Sequence, residues 1–211
     1  LSIVDIRKRD GLARIGLFEY REKKRPFPAV LDMPDEFPSL LRREHSNVPL
    51  LVDPEFARTY HVPGDEEPIS LHPQAVPDVP HGICVMVPNW HTALTNPAGY
   101  VEWIVILKEM VPPDTLWYAP AAALPENVAL LLYSGFDLFD FTGVDLKSAQ
   151  NRFCTPEGIF TGEWMEKGIC GCEGCREGDL RSHNRNALLH EVALGSQFIA
   201  RGLLRELVES R

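Results

Sequence analysis

The sequence predicts an α/β fold built on parallel strands and followed by a small cysteine-rich helical segment. Three observations carry this. Short β-rich runs alternate with helical stretches from Ile83 to Phe141; three cysteines fall within six residues at Cys170 to Cys175; and apolar residues recur at helical spacing beyond them.

The chain opens with Ser2 to Tyr20, which alternates weakly about Asp10-Gly11 and predicts a hairpin. Pro26 to Met33 is extended and apolar, and Pro49 to Val52 reads as a short buried strand. Residues 53–82 hold no stable period and read as loop with short elements at best. Ile83 to Val87 is a continuous β-rich run, the pattern of a strand covered on both faces. Asn96 before Pro97 is an N-cap followed by the residue favoured at the first helical position, and Pro112-Pro113 stops that helix. Leu116 to Ala119 is the next strand. Pro125 then opens a helix that Gly135 ends as a left-handed cap, and Phe136 to Phe141 is a further strand. A β-α-β-α-β order of this kind implies parallel strands with right-handed crossovers. Periodicity leaves a doubly wound sheet and a (β/α) barrel equally open.

The composition is that of a folded protein, with 45% apolar and 24% charged side chains among 211 residues. No run approaches the roughly 20 apolar residues of a membrane span, and the start of the chain lacks the charged and apolar regions of a signal peptide. A cytoplasmic protein without a membrane is therefore expected. The net charge of −9 opposes general binding to phosphate backbones. An RNA ligand would need a local basic patch or charge from a partner, and Arg7-Lys8-Arg9, Arg21 to Arg25 and Arg42-Arg43 are the candidate patches, each otherwise a solvated face.

Five cysteines, three of them clustered, argue for a metal site rather than disulfides. Thiolates spaced Cys170-x-Cys172-x-x-Cys175 can converge on one cation, and Gly171 and Gly174 are expected to supply tight, positive-φ turns. Zinc at a structural site takes four nitrogen or sulfur ligands, which leaves one place for an imidazole. His183, at the start of a helix expected over Asn184 to Ala200, is the first candidate and His190 its rival. Gly202 is expected to end or kink that helix before Leu203 to Val208.

Alternation from Phe136 puts Phe136, Leu138 and Asp140 on one face and Asp137 on the other. If the first face points inward, Asp140 stands at the carboxyl end of a parallel strand, where barrel active sites gather, and can act as nucleophile or acid/base. The alternative is a turn-forming or capping aspartate. Asn89 and His91 follow the strand at Ile83 to Val87 in an equivalent position.

Several segments resemble the tRNA-guanine transglycosylase superfamily. Arg9 to Gly16 is similar to its opening hairpin, Gly135 to Asp140 to the strand bearing its nucleophilic aspartate, and Cys170, Cys172, Cys175 with His183-Asn184 to its zinc subdomain. A closer resemblance is to the N-terminal module of archaeosine synthase, through Asp114 to Pro120, Pro125 to Ala129, Thr155 to Gly158 and the His183-Asn184 helix. The resemblance implies a (β/α) barrel over 1–165, a structural zinc subdomain over 166–211 held by Cys170, Cys172, Cys175 and His183, and Asp140 as nucleophile. It places Ala119 near the segment that lines the base pocket; Asn89 and His91, from their position after a strand, are candidate substrate contacts or else merely solvated loop residues. The implied function is tRNA modification at a 7-deazaguanine base, in company with a protein partner that carries the catalytic and RNA-binding PUA module, or with a second copy of the chain. The departures are equally specific. No Asp-Ser-Gly-Gly or Gly-Val-Gly segment is present, and Thr142-Gly143-Val144 replaces the family's Pro-Thr-Arg. Only about 165 residues precede the metal segment, where a full barrel takes about 200 or more, so the barrel is expected to be reduced or distorted. A non-catalytic scaffold that pairs with a catalytic subunit is the alternative function.

Overall fold

A computed structural model describes residues 4–20, 23–32, 69–71, 76, 78–87, 97–168 and 170–211. The opening hairpin pairs β1 (Val4–Asp10) with β2 (Ala13–Tyr20) through a Gly11-Leu12 turn, and β3 (Lys23–Phe27) completes an antiparallel sheet of order β1-β2-β3. The chain then enters a five-stranded parallel sheet. Its strands are β4 (Ala29–Leu31), β5 (Ile69–Ser70), β6 (Cys84–Met86), β7 (Leu116–Tyr118) and β8 (Leu138–Asp140), in the order β4-β8-β7-β6-β5.

Alternation along these strands separates two cores. Val30, Val85, Trp117 and Phe139 face the helices α1 (Pro97–Met110) and α2 (Val128–Tyr133), joined by Leu188, Val192 and Ile199 of the long helix α5 (Leu180–Arg201). Leu31, Cys84, Met86, Leu116, Tyr118 and Leu138 form the other face, which packs on Phe18 and Phe27 of the antiparallel sheet. Both faces are thus buried, as continuous apolar parallel strands require.

Several expected boundaries move, and the helix expected over Asn184 to Ala200 runs over Leu180–Arg201, which puts His183 in its first turn. The helix foreseen at Pro125 begins at Val128, because Asn127 holds the preceding loop: its Oδ1 accepts from Leu124 N–H and its Nδ2 donates to Ala122 O. Phe136 precedes the strand proper and packs edge-on against Trp117 in the helix-facing core, not on the face of Leu138 and Asp140. Elements beyond the sequence reading include helix α3 (Thr142–Ala149), the hairpin of β9 (Arg152–Thr155) with β10 (Gly158–Thr161), the 3-10 helix Gly162–Lys167 and the short helix that follows Cys172. The remaining helices are α4 (Glu173–Glu177) and α6 (Leu204–Glu209), with Gly202 ending α5 at φ +73°. The strand expected over Pro49 to Val52 lies outside the described residues.

A buried ion pair fastens the antiparallel sheet beneath the parallel one. Arg14 Nε and Nη2 grip Asp137 Oδ1 and Oδ2 at 2.9 and 2.6 Å, with the two side chains only 4% and 1% exposed. Asp137 Oδ2 also accepts Trp117 N–H, while the same guanidinium donates to the carbonyls of Pro113 and Thr115. Asp137 is therefore structural, the role expected of it, and is held from the antiparallel sheet.

Candidate metal centre and strand-end carboxylate

The cysteine cluster begins where Cys172 N-caps α4, its Sγ accepting Cys175 N–H. Gly178 ends this five-residue helix at φ +72°, and Asp179 immediately N-caps α5 through Ser182 N–H. The knuckle folds back on the helix: Gly174 O accepts Asp179 N–H, and Asp179 O accepts His183 N–H. Gly174 is required here for space. A Cβ on it would meet His183 N at 2.4 Å. The positive-φ turns expected of Gly171 and Gly174 are not the reason, since neither lies in that region.

Cys170, Cys172, Cys175 and His183 bring their ligand atoms within 4.8 Å of one another. His183 Nδ1 stands 3.4 Å from Cys172 Sγ and 3.2 Å from Cys175 Sγ. Metal–sulfur and metal–nitrogen bonds of about 2.3 and 2.0–2.1 Å in a tetrahedron give a sulfur–nitrogen edge of about 3.6 Å, so the donors are spaced to share one ion. The other ring nitrogen, Nε2, is held by Cys154 O at 3.0 Å, which leaves Nδ1 to offer its lone pair. Phe153 stacks on the imidazole at 3.9 Å, and burial lowers the His183 pKa, which favours the neutral, ligating ring. The backbone N–H of Cys175 draws the Cys172 thiol below its ordinary range against the opposing effect of burial; burial and the Cys172 sulfur push Cys175 up to about 12. Three sulfurs and an imidazole suit a soft divalent ion such as zinc. The rival ligand His190 is excluded by geometry: it lies outside the cluster, three-quarters exposed, with Nδ1 3.4 Å from Glu191 Oε1.

Asn184 supports this centre. Fully buried, it accepts Cys154 N–H at Oδ1 and donates to Arg152 O and Ser148 Oγ, tying α5 to β9 and α3. Beside the cluster lies a groove of about 630 Å³ whose walls include Phe153, Pro156, Ala187, Cys170 and Glu191. Glu191 is buried and paired with Arg211 at 2.7 Å.

Asp140 ends β8 on the face of Leu138 and Tyr118, away from the helices, and is 2% exposed. Three donors hold its carboxylate. Tyr118 Oη at 2.5 Å and Ala121 N–H at 2.9 Å reach Oδ2, and Thr142 N–H at 2.6 Å reaches Oδ1. Ala121 sits at φ +55°, so the carboxylate fixes an unusual backbone turn in the β7 loop as well as the start of α3. Burial, and then the Asp140 charge, raise the Tyr118 pKa well above the ordinary value and keep the phenol a donor. Ala119 is fully buried with its methyl in the helix-facing core, and its N–H donates to Leu138 O. Asn89 and His91 lie outside the described residues. Behind the strand end, Arg181 and Arg185 of α5 both clasp Asp145 of α3, whose carboxyl those hydrogen bonds hold far below the usual range. No helix among the described residues is long and apolar enough to cross a membrane.

No family model matches the chain. It is 35% identical over 135 residues to the archaeosine synthase subunit alpha of Methanosarcina acetivorans and 32% identical over 115 residues to the archaeosine synthase of Haloferax volcanii. It is also 31% identical over 127 residues to the tRNA-guanine(15) transglycosylase of Methanosarcina barkeri. These matches take in 57, 51 and 54% of this chain but only 22, 20 and 26% of the relatives, so the chain spans about a quarter or less of their length.

Proposed function

We propose that this chain, a relative of the archaeosine synthases and the tRNA-guanine transglycosylases, is the transglycosylase-like module of a transferase that modifies a 7-deazaguanine base in archaeal tRNA. The observation that carries the reading is the placement of Asp140. It stands on the non-helical face at the carboxyl end of the last parallel strand, the position from which (β/α) proteins present catalytic groups, in a chain similar to proteins named for that chemistry. The three donors that hold it suit a carboxylate oriented for attack on a ribose carbon. Asn89 and His91 would contribute to the base pocket, and Ala119 through its carbonyl alone, since its methyl and N–H are engaged within the fold.

A reduced barrel fits the strand order. The first parallel strand, β4, pairs with the last, β8, and β5 to β8 follow in sequence, which is the neighbour relation of a sheet closing on itself. We place the barrel in residues 1–165 and a structural zinc subdomain in 166–211. Zinc, when bound, would supply fixed tetrahedral cross-linking between the knuckle and α5 rather than an open coordination site, because the four side chains complete its set. Since the chain is acidic overall, a partner carrying an RNA-binding PUA module, or a second copy, would contribute to holding the tRNA.

A second reading is favoured by one specific arrangement. The Tyr118 phenol lies against Asp140, and three donors engage the carboxylate, which then serves as a latch between loops. In that case the module is a scaffold, and the groove beside His183 is its apolar docking face. Asp140→Asn, assayed for tRNA modification by the enzyme reconstituted with its partner, separates the two. Loss of product with retained folding and tRNA binding supports catalysis, and unchanged turnover assigns the scaffold role.

A further inference from the structure

The opposite end of the sheet from Asp140 carries a different chemistry. In a chain of net charge −9, β1 and β3 each bring three basic side chains and β2 one, against three carboxylates in the same sheet. Where β1 and β2 meet the end of α1 there is a cavity of about 130 Å³, walled by Arg9, Leu12, Arg14, Lys108, Trp117 and the Val111-Pro112-Pro113 turn. That is room for roughly four waters, or for one tetrahedral oxyanion.

Three cations from three elements face this space, and their acceptors are few. Arg14 spends four of its five N–H groups on Asp137, Thr115 O and Pro113 O. Lys108 donates to Gly135 O at 2.8 Å and stands 3.9 Å from the centre of the Trp117 ring, which occupies one side of the ammonium and leaves hydrogens to spare. Among the described residues Arg9 reaches only Pro113 O, at 3.5 Å. Of the carboxylates nearby, Asp137 is already held by Arg14 and Trp117, and Asp114 pairs with His81 at 3.0 Å. Burial, opposed by Asp137 and reinforced by Arg14 and Arg9, lowers Lys108 to about 7, the behaviour of an ammonium short of counter-charge.

We propose that this cavity is a binding site for a phosphate group, with Lys108, Arg9 and the remaining Arg14 N–H as its donors. A tetrahedral anion can meet cations from β1, β2 and α1 at separate oxygens, which a planar carboxylate cannot do. The phosphate comes either from solution or from an RNA backbone. The inference stands whether or not the chain acts on a 7-deazaguanine.

The test compares thermal unfolding of the full chain in sodium phosphate and in sodium chloride of equal ionic strength. At roughly ten times its dissociation constant, phosphate is expected to raise the midpoint by about 3–6 °C. Arg9→Ala, at an exposed position, and Lys108→Gln should each abolish that gain; should Lys108→Gln fail to fold, Arg9→Ala decides. A parallel titration with unmodified tRNA identifies the source. If Arg9→Ala also weakens tRNA binding and lowers the slope of log affinity against log salt by about one, the site holds a backbone phosphate. If tRNA binding is unchanged while the phosphate gain is lost, the ligand is free phosphate. No phosphate-specific gain in the parent chain, or an equal gain in Arg9→Ala, overturns the proposal.

Discussion

Withdrawing the metal from Cys170, Cys172, Cys175 and His183 should unfasten one part of the molecule and leave another standing. α4 is five residues long, far short of the roughly 12–15 at which an isolated helix becomes even marginally stable. Its remaining links to α5 are the Gly174 and Asp179 backbone bonds and the Asp179 cap. α5, by contrast, is 22 residues long and buries Leu188, Val192 and Ile199 against the sheet helices, so it persists without the ion. A ligand present at about a thousand times its dissociation constant contributes about 4 kcal/mol to stability. For a domain of this size that corresponds to a midpoint about 8–16 °C lower once the metal is gone. Thermal melts of metal-replete and chelator-stripped protein read the shift, and hydrogen exchange should place the lost protection in residues 170–179. His183→Ala should reproduce the effect, because it removes a ligand, the bond to Cys154 O and the stacking on Phe153. Verified metal-free protein that melts within about 2 °C of the replete form and keeps protection across 170–179 would refute this reasoning.

Breaking the buried pair between Arg14 and Asp137 leaves a carboxylate without its cation, so Arg14→Met should cost about 3–5 kcal/mol in denaturant unfolding. Arg7→Ala, whose pair with Asp5 is more than half exposed on both sides, should cost no more than about 0.5 kcal/mol; equal losses would contradict the burial argument. Lys108 gives a pH signature. Between about 7 and its ordinary 10.5 the unfolded chain keeps a proton that the folded chain has released, so its contribution makes stability rise with pH across that window. In phosphate-free buffer Lys108→Met should flatten that rise, and a slope identical to the parent's would show that Lys108 titrates normally.

What could be read from the sequence follows the range of the interactions. The metal ligands lie within fourteen residues and announce themselves by spacing, whereas the alternation that sets Leu138 and Asp140 on one face fails at Phe136, which turns into the helix-facing core. The parts of the centre that come from afar were not legible. Phe153 and the Cys154 carbonyl reach His183 from about 30 residues away, on a hairpin strand, Arg152-Phe153-Cys154-Thr155, that lacks a clear period of two. The His183-Asn184 doublet was visible as a family likeness, but the role of Asn184 depends on that distant strand. Helix α3 escaped notice because Thr142-Gly143-Val144 offers poor helix formers and no apolar stripe; Asp140 fixes its first N–H instead. The basic residues of the first three strands read as a solvated face until the fold brought Arg9 and Arg14 beside Lys108, nearly a hundred residues later in the chain.

The most direct test of the tRNA-modification account is nucleoside mass spectrometry of total tRNA from the native host with and without the gene for this chain. The account predicts that archaeosine disappears in the deletion while its deazaguanine precursor accumulates in tRNA, and that both revert on complementation. Archaeosine at parental levels in the deletion strain would contradict it.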